Sequence, residues 1–286
     1  MTDFFQLLFS GMATGCIYAL AALGFTLLWQ ASGTINFAQG EFVMLPAFIM
    51  VIMLHNGMAL SASFAISVVV SVLVLGWLFK RGLVDPLFKY GMMPIVVATI
   101  GLSIAMRNGV RAGFSAEPQP FPNLFPDEIY NVAGVVVSGS DVGTFVFAMA
   151  LVLVTQAFLA KTVTGRAMQA VAQNTESASV LGINVPRMIT LTYGFGVGLA
   201  ALAGVMAAPI YQVSPMMGAD IIIVVFAVVV IGGMGSIMGA ILSGFGLGLI
   251  EGLTKVFYPE ASATVIFVIM TIVLLIKPAG LFGTQK

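Results

Sequence analysis

Nine apolar stretches follow one another through this chain, and no other feature narrows its fold as far. They occupy approximately 4–28, 42–54, 60–79, 94–112, 142–160, 188–208, 220–231, 240–254 and 261–276. A helix crossing about 30 Å of hydrocarbon needs roughly 20 mainly apolar residues. Charged residues make up 8% of the chain and hydrophobic ones 60%, with mean hydropathy +1.10. A soluble domain carries about 25% charged residues, so this chain cannot dress itself in a water-facing surface. The reading is an all-α, polytopic integral membrane helix bundle, one transmembrane domain over 1–286, with about nine spans (eight to ten) of the length a bilayer demands. Re-entrant pieces near Asn36 or Gly233 set that range.

What the chain lacks excludes several functions. Its 11 cationic and 11 acidic residues give zero formal net charge, leaving no basic field to offset nucleic-acid phosphates. The single cysteine, Cys16, precludes an intramolecular disulfide, and the single histidine, His55, leaves little for a metal site. No G-x-x-x-x-G-K-[ST] phosphate loop occurs, so the chain has no ATPase site of its own. No G-x-S-x-G elbow or H-E-x-x-H pair supports an intramembrane enzyme. The opening MTDFFQLLFSGMA lacks the basic start of a cleaved signal peptide, so the first span reads as retained.

Small residues mark where helices approach. Gly11, Gly15 and Ala19 recur every fourth residue, as do Gly244, Gly248 and Gly252, the spacing of close backbone contacts between membrane helices; Glu251 lies on the second stripe. Gly194, Gly196, Gly198 and Gly204 place the sixth span inside the bundle.

Three polar interruptions carry the chemistry. The first, WQASGTINFAQGE, precedes the second span. Asn36, Gln39 and Glu41 there lie at or near membrane depth, where an unpaired polar group costs several kcal/mol. They must face protein or water, which makes them candidate residues of a translocation path. Glu41 either works as an intramembrane acid, caps the helix that follows, or pairs with Arg107 or Arg111. The second, 113–141, holds Pro118, Pro120, Pro122 and Pro126, which rule out helix, and the acids Glu117, Asp127, Glu128 and Asp141; within it 130–137 reads as a small strand. The third, 161–187, is basic, with Lys161, Arg166 and Arg187 against Glu176. Asn174 caps a short helix over 175–181, Glu176 suits the positive end of its dipole, and Gly182 ends it in a left-handed turn. Two turns are marginal alone, so this loop is either a docking element or an ordinary amphipathic connector.

The Lys/Arg bias orients the chain. With nine spans and 161–187 inside, the cytoplasmic side holds Lys80, Arg81, Lys89, Lys161, Arg166, Arg187, Lys277 and Lys286, eight of the eleven cations. The N-terminus then lies outside, the C-terminus inside, and the acidic 113–141 segment outside. Two function classes remain: a transport subunit driven by a separate ATPase, and an ion-coupled secondary carrier using Glu41, which would want a midplane acid between repeated halves.

Separated motifs resemble one family. Gly24-Phe25-Thr26 with Ile35-Asn36-Phe37-Ala38-Gln39-Gly40-Glu41-Phe42, then Ala98-Thr99-Ile100-Gly101-Leu102-Ser103, Thr164-Gly165-Arg166-Ala167-Met168, Gly232-Gly233-Met234-Gly235-Ser236 and Lys277-Pro278-Ala279-Gly280-Leu281-Phe282-Gly283 are similar to the Liv-type branched-chain amino acid ABC transporter permeases, most nearly their H subunit. The resemblance implies a permease of the bacterial inner membrane without a cofactor of its own, ATP being bound by partners. Those partners would be two cytosolic ATP-binding subunits, a second, M-type permease and a periplasmic solute-binding protein. It also implies a coupling loop of the pattern E-A-A-x-x-x-G; Glu176, Ala178 and Gly182 fit it and Ser177 departs. Related permeases of this kind carry urea or short amides, the alternative substrate class.

Overall fold

The structure, a computed structural model, describes residues 2–114, 117–126, 128–132 and 135–283. Asp127 and Lys286, both named above, lie outside them. Helices dominate: α1 Thr2–Ser32, α2 Gln39–His55, α3 Leu60–Phe88, α4 Met92–Phe114, α5 Gly139–Lys161, α6 Val163–Gln173, α7 Thr175–Val180, α8 Val185–Tyr211, α9 Met217–Gly232, α10 Ile237–Phe257 and α11 Ser262–Ile276. Among the described residues, seven helices are long and apolar enough to cross a membrane, the last running Pro259–Ile276; α2 and α9 are apolar but shorter, at 17 and 16 residues. The protein is a polytopic helical membrane bundle.

Burial separates the helices. In α1, 94% of the most apolar window is buried; in the last span the figure is 6%. The two glycine stripes explain the centre, because they meet each other. A Cβ on Gly11 would lie 2.9 Å from the Gly252 Cα, and one on Gly244 2.6 Å from the Ala19 Cα; Gly248 sits directly on Gly15. With no side chains between them, α1 and α10 approach backbone to backbone and gain dispersion contacts that lipid cannot match. On its other side α1 meets α8, Gly24 against Gly196, while Gly204 of α8 abuts the Val43 backbone of α2.

Two motifs far apart in sequence form one structural unit. Gly233 and Gly235 take φ of +97° and +88° and turn the chain between α9 and α10; Ser236 then caps α10, accepting from Gly239 N at 3.0 Å. The tail folds onto that turn: Leu281 N donates to Ile231 O at 2.8 Å and Phe282 N to Gly232 O at 3.1 Å. The tail thereby satisfies carbonyls that the end of α9 leaves free.

Three expectations change. The third span ends not at 79 but at Phe88, because Lys80 is buried and paired with Asp85 inside the helix, Nζ lying 2.7 Å from Oδ1. This helix is π-helical over Val72–Leu78 and Lys80–Val84. The small strand is a hairpin, β1 Ile129–Val132 antiparallel to β2 Val135–Ser138. The 161–187 loop carries a second, longer helix, α6, capped by Thr162 Oγ1, which accepts from Gly165 N at 3.0 Å.

Candidate functional site

The site begins where α1 stops. Gly33, at φ +65°, turns the chain, and its N–H donates to Trp29 O at 2.7 Å. Asn36 Oδ1 then accepts from Ala38 N at 3.0 Å, a local turn that opens α2 at Gln39. Gln39 lies beside Gly24, eight residues back from the end of α1 and hence about 12 Å in from it. So α2 starts inside the bundle, and this is why it is short. The start of α9 meets it there, with Gly40 and Gly218 in direct backbone contact and no room for a side chain at either.

Polar groups gather around these two helix beginnings. Glu41 is 1% exposed, Gln39 1% and Asn36 4%. Glu41 Oε1 accepts from Arg107 Nη2 at 2.8 Å and from Ser103 Oγ at 2.9 Å. Thr99, one turn before Ser103 on α4, accepts from Phe37 N at 3.3 Å. Thr99, Ser103 and Arg107 are spaced by four, so a single face of α4 meets the Gly33–Ala38 connection and the first turn of α2. Of the alternatives for Glu41, the ion pair with Arg107 is the one formed; Arg111 instead reaches Met216 S at 3.2 Å.

The cluster is not saturated. Asn36 Nδ2, both polar atoms of the Gln39 amide, Glu41 Oε2 and Arg107 Nε are buried without a hydrogen-bond partner among the described residues. A buried group in that state costs about 1–3 kcal/mol, so five in one place is a large local expense for the fold to carry without a use. On the α1-end side of this cluster, Gly33 lines a cavity of about 680 Å³ with Gln30, Gln169, Gln173 and Gly235.

The second polar region is the 161–187 loop. Asn174 Oδ1 accepts from Ser177 N at 2.8 Å, and Gly182 ends the helix at φ +80°. Ala178 is buried and Glu176 exposed, while Val180 and Leu181 stand 87% and 78% exposed. Glu176 and Ala178 thus lie on α7 and Gly182 in the turn that follows it, distant in sequence from Asn36, Gln39 and Glu41.

Sequence reasoning did not assemble a further buried network. Glu251 Oε2 accepts from Tyr18 OH at 2.7 Å, its Oε1 pairs with Lys255 Nζ at 2.7 Å, and Tyr18 OH also meets Tyr211 OH. The available signal was Glu251 four residues before Lys255.

A family model described as branched-chain amino acid transport system / permease component matches residues 7–275. The chain is 32% identical to the high-affinity branched-chain amino acid transport system permease protein LivH of Escherichia coli, over 99% of this chain and 96% of that one. It is also 32% identical to the similarly described BraD of Pseudomonas aeruginosa, over 99% and 97%. A probable branched-chain amino acid transport permease protein LivH of Methanocaldococcus jannaschii is 26% identical over 94% and 89%. No solved structure matches the chain.

Proposed function

Because the chain belongs to the family of branched-chain amino acid transport system permease components, we propose that it is the membrane-spanning permease subunit of an ATP-driven importer for branched-chain or related neutral amino acids. The observation that carries this reading beyond the family is the unsaturated polar cluster at the start of the short helices α2 and α9. Asn36, Gln39 and Glu41 line the translocation path, where their free donors and acceptors exchange partners with a zwitterionic solute. Arg107 and Ser103 hold Glu41 in place between passages. The three relatives named above are described as branched-chain amino acid transport permeases and none as carrying urea or amides, so the amide alternative has less support.

ATP is bound by two cytosolic subunits, which dock on α7. Val180 at its end and Leu181 just after it offer an apolar contact that α7 itself does not bury, and a helix this short needs such a partner. Closure of the ATPase pair moves α7 and α6 against the bundle and rocks it between inward- and outward-facing states. A second permease completes the membrane unit, and a periplasmic solute-binding protein meets the outer 113–141 segment. The chain sits in the bacterial inner membrane, N-terminus out and C-terminus in, following its Lys/Arg bias.

The test is co-purification from native membranes followed by uptake of labelled leucine into proteoliposomes. Two ATPases and a second permease should be recovered, and uptake should require ATP and the binding protein. Gly182→Asp, at a residue held at φ +80°, should abolish uptake while leaving insertion intact. Recovery of the chain alone, with uptake driven by a proton or sodium gradient, would replace this reading with the secondary carrier.

A further inference from the structure

Two cavities meet where α3 leaves the membrane. The first, about 480 Å³, lies between the end of α3 and the beginning of α8, bounded by Ser32, Trp77, Lys80, Arg81, Asp85 and Tyr193. The second, about 530 Å³, climbs from it along the π-helical part of α3, between Trp77, Phe158, Leu191, Gly194, Phe195 and Gly198. Trp77 and Thr190 line both, so they form one bent groove with a polar foot and an apolar shaft. Both volumes fall in the range of small-molecule sites, about 300–1,000 Å³.

The charges of the foot do not cancel. Lys80 Nζ binds both oxygens of Asp85, at 2.7 and 3.0 Å, and that pair is neutral. Arg81 is left over: it has no acidic partner among the described residues, and its guanidinium rests 5.6 Å from the Trp77 ring centroid. A cation over an interfacial tryptophan marks the headgroup level of a bilayer. The shaft is built differently. Gly194 and Gly198 form its floor, and a Cβ there would meet only Val72 methyls, at 3.8 and 3.4 Å. Leu73, Trp77 and Leu191 stand exposed along its rim, so it opens sideways towards lipid tails.

We propose that this groove is a binding site for one anionic glycerophospholipid, its phosphate on Arg81 and one acyl chain in the shaft beside Gly194 and Gly198. A basic pocket between membrane helices is how anionic headgroups are held. The apolar shaft adds no hydrophobic gain while bilayer surrounds it, since tails are as apolar as the groove. Selection therefore lies with the headgroup and orientation with the shaft. Once detergent replaces the bilayer, the shaft becomes what retains the lipid. The groove lies between α3 and α8, so its occupant packs against both helices.

The experiment is native mass spectrometry of the intact transport complex, extracted in mild detergent and offered phosphatidylglycerol or phosphatidylethanolamine of identical chains. Wild type should retain phosphatidylglycerol preferentially. Arg81→Gln, at an exposed position, should reduce that preference about fivefold, the ~1 kcal/mol that one cation contributes at an anionic lipid surface. Gly198→Leu should fill the shaft and remove retention of both lipids, while Arg81→Gln still retains some of each. Equal retention of the two lipids by wild type would overturn the proposal, as would unchanged retention in Gly198→Leu. Displacement by water-soluble glycerol phosphate would make the foot a free-anion site, and a crosslink from Leu191 to the second permease would make the shaft a subunit interface; either result overturns it.

Discussion

Among the described residues two carboxylates are buried in this bundle, and they are treated in opposite ways. Glu251 is 7% exposed and both its oxygens are used, one by Tyr18 and one by Lys255. It sits on α10 beside the glycine seam, where α1 and α10 touch backbone to backbone. Glu41 is 1% exposed, yet only Oε1 is used and its neighbours Asn36 and Gln39 carry orphaned atoms. It sits at the start of a short apolar helix that begins inside the bundle, facing the start of another. A satisfied network rigidifies its surroundings, whereas a partly satisfied one is costly and persists only where something is gained. The contrast assigns holding to the Glu251 region and exchanging to the Glu41 region, and it can be broken one substitution at a time.

The largest effect belongs to the holding region. Gly248→Leu would drive a side chain into the Gly15 backbone, and a backbone cannot repack as a side chain does. Overpacking costs about 1–3 kcal/mol even in cores that adjust. We expect almost no monodisperse protein after extraction, read as the fraction of inserted protein surviving size-exclusion. Near-normal recovery would show that the seam is looser than its geometry.

Next comes the exchanging region. Glu41→Gln keeps an acceptor for Ser103 but removes the charge facing Arg107. Uptake per inserted molecule should fall by tenfold or more, equivalent to at least ~1.4 kcal/mol, with recovery of folded protein close to wild type. Unchanged uptake at unchanged expression would remove Glu41 from the path. An inverse result is expected from Tyr18→Phe. Losing a hydrogen bond to a charged group costs about 1.5–3 kcal/mol, so the thermal midpoint in detergent should drop while uptake per folded molecule holds. Loss of uptake without loss of stability would move Glu251 into the mechanism.

How much of this contrast was legible in the sequence depends on the kind of signal. The spans were, because apolar run length is a local property that the bilayer enforces. The two glycine stripes were legible as stripes, though not as partners, since periodicity names a face but not what it meets. Glu41 stood out because an acid next to an apolar run has few innocent explanations. Arg107 was one of two candidates, and Arg111 continues the same every-fourth spacing after Thr99, Ser103 and Arg107, so the sequence could not choose between them; position along α4 does, with Arg107 reaching Glu41 and Arg111, one turn on, reaching Met216. The continuation of α3 past Lys80 was hidden: a lysine ends an apolar run on paper, but Asp85 five residues later neutralises it inside the helix. The docking of the tail on Gly233 was hidden too, because it rests on backbone hydrogen bonds, which any residue except proline can donate.

The finest discrimination comes from Gln39. Both polar atoms of its amide are buried without partners, so in a protein selected only for stability an apolar residue of similar size would serve better. Replacing an unsatisfied polar group by an apolar one of like shape is close to neutral or favourable, whereas deleting one partner of a satisfied pair is not. Gln39→Met should therefore leave the thermal midpoint where it is or raise it, by up to about 1 kcal/mol of stability, while uptake falls a few-fold. Tyr18→Phe predicts the complementary pattern, a lower midpoint with uptake per folded molecule held, so the two variants, assayed side by side, separate a residue kept for the fold from one kept against it. If Gln39→Met lowers the midpoint as Tyr18→Phe does, the Gln39 amide has a stabilising partner in the membrane, and the exchanging character of this region rests on Glu41 alone.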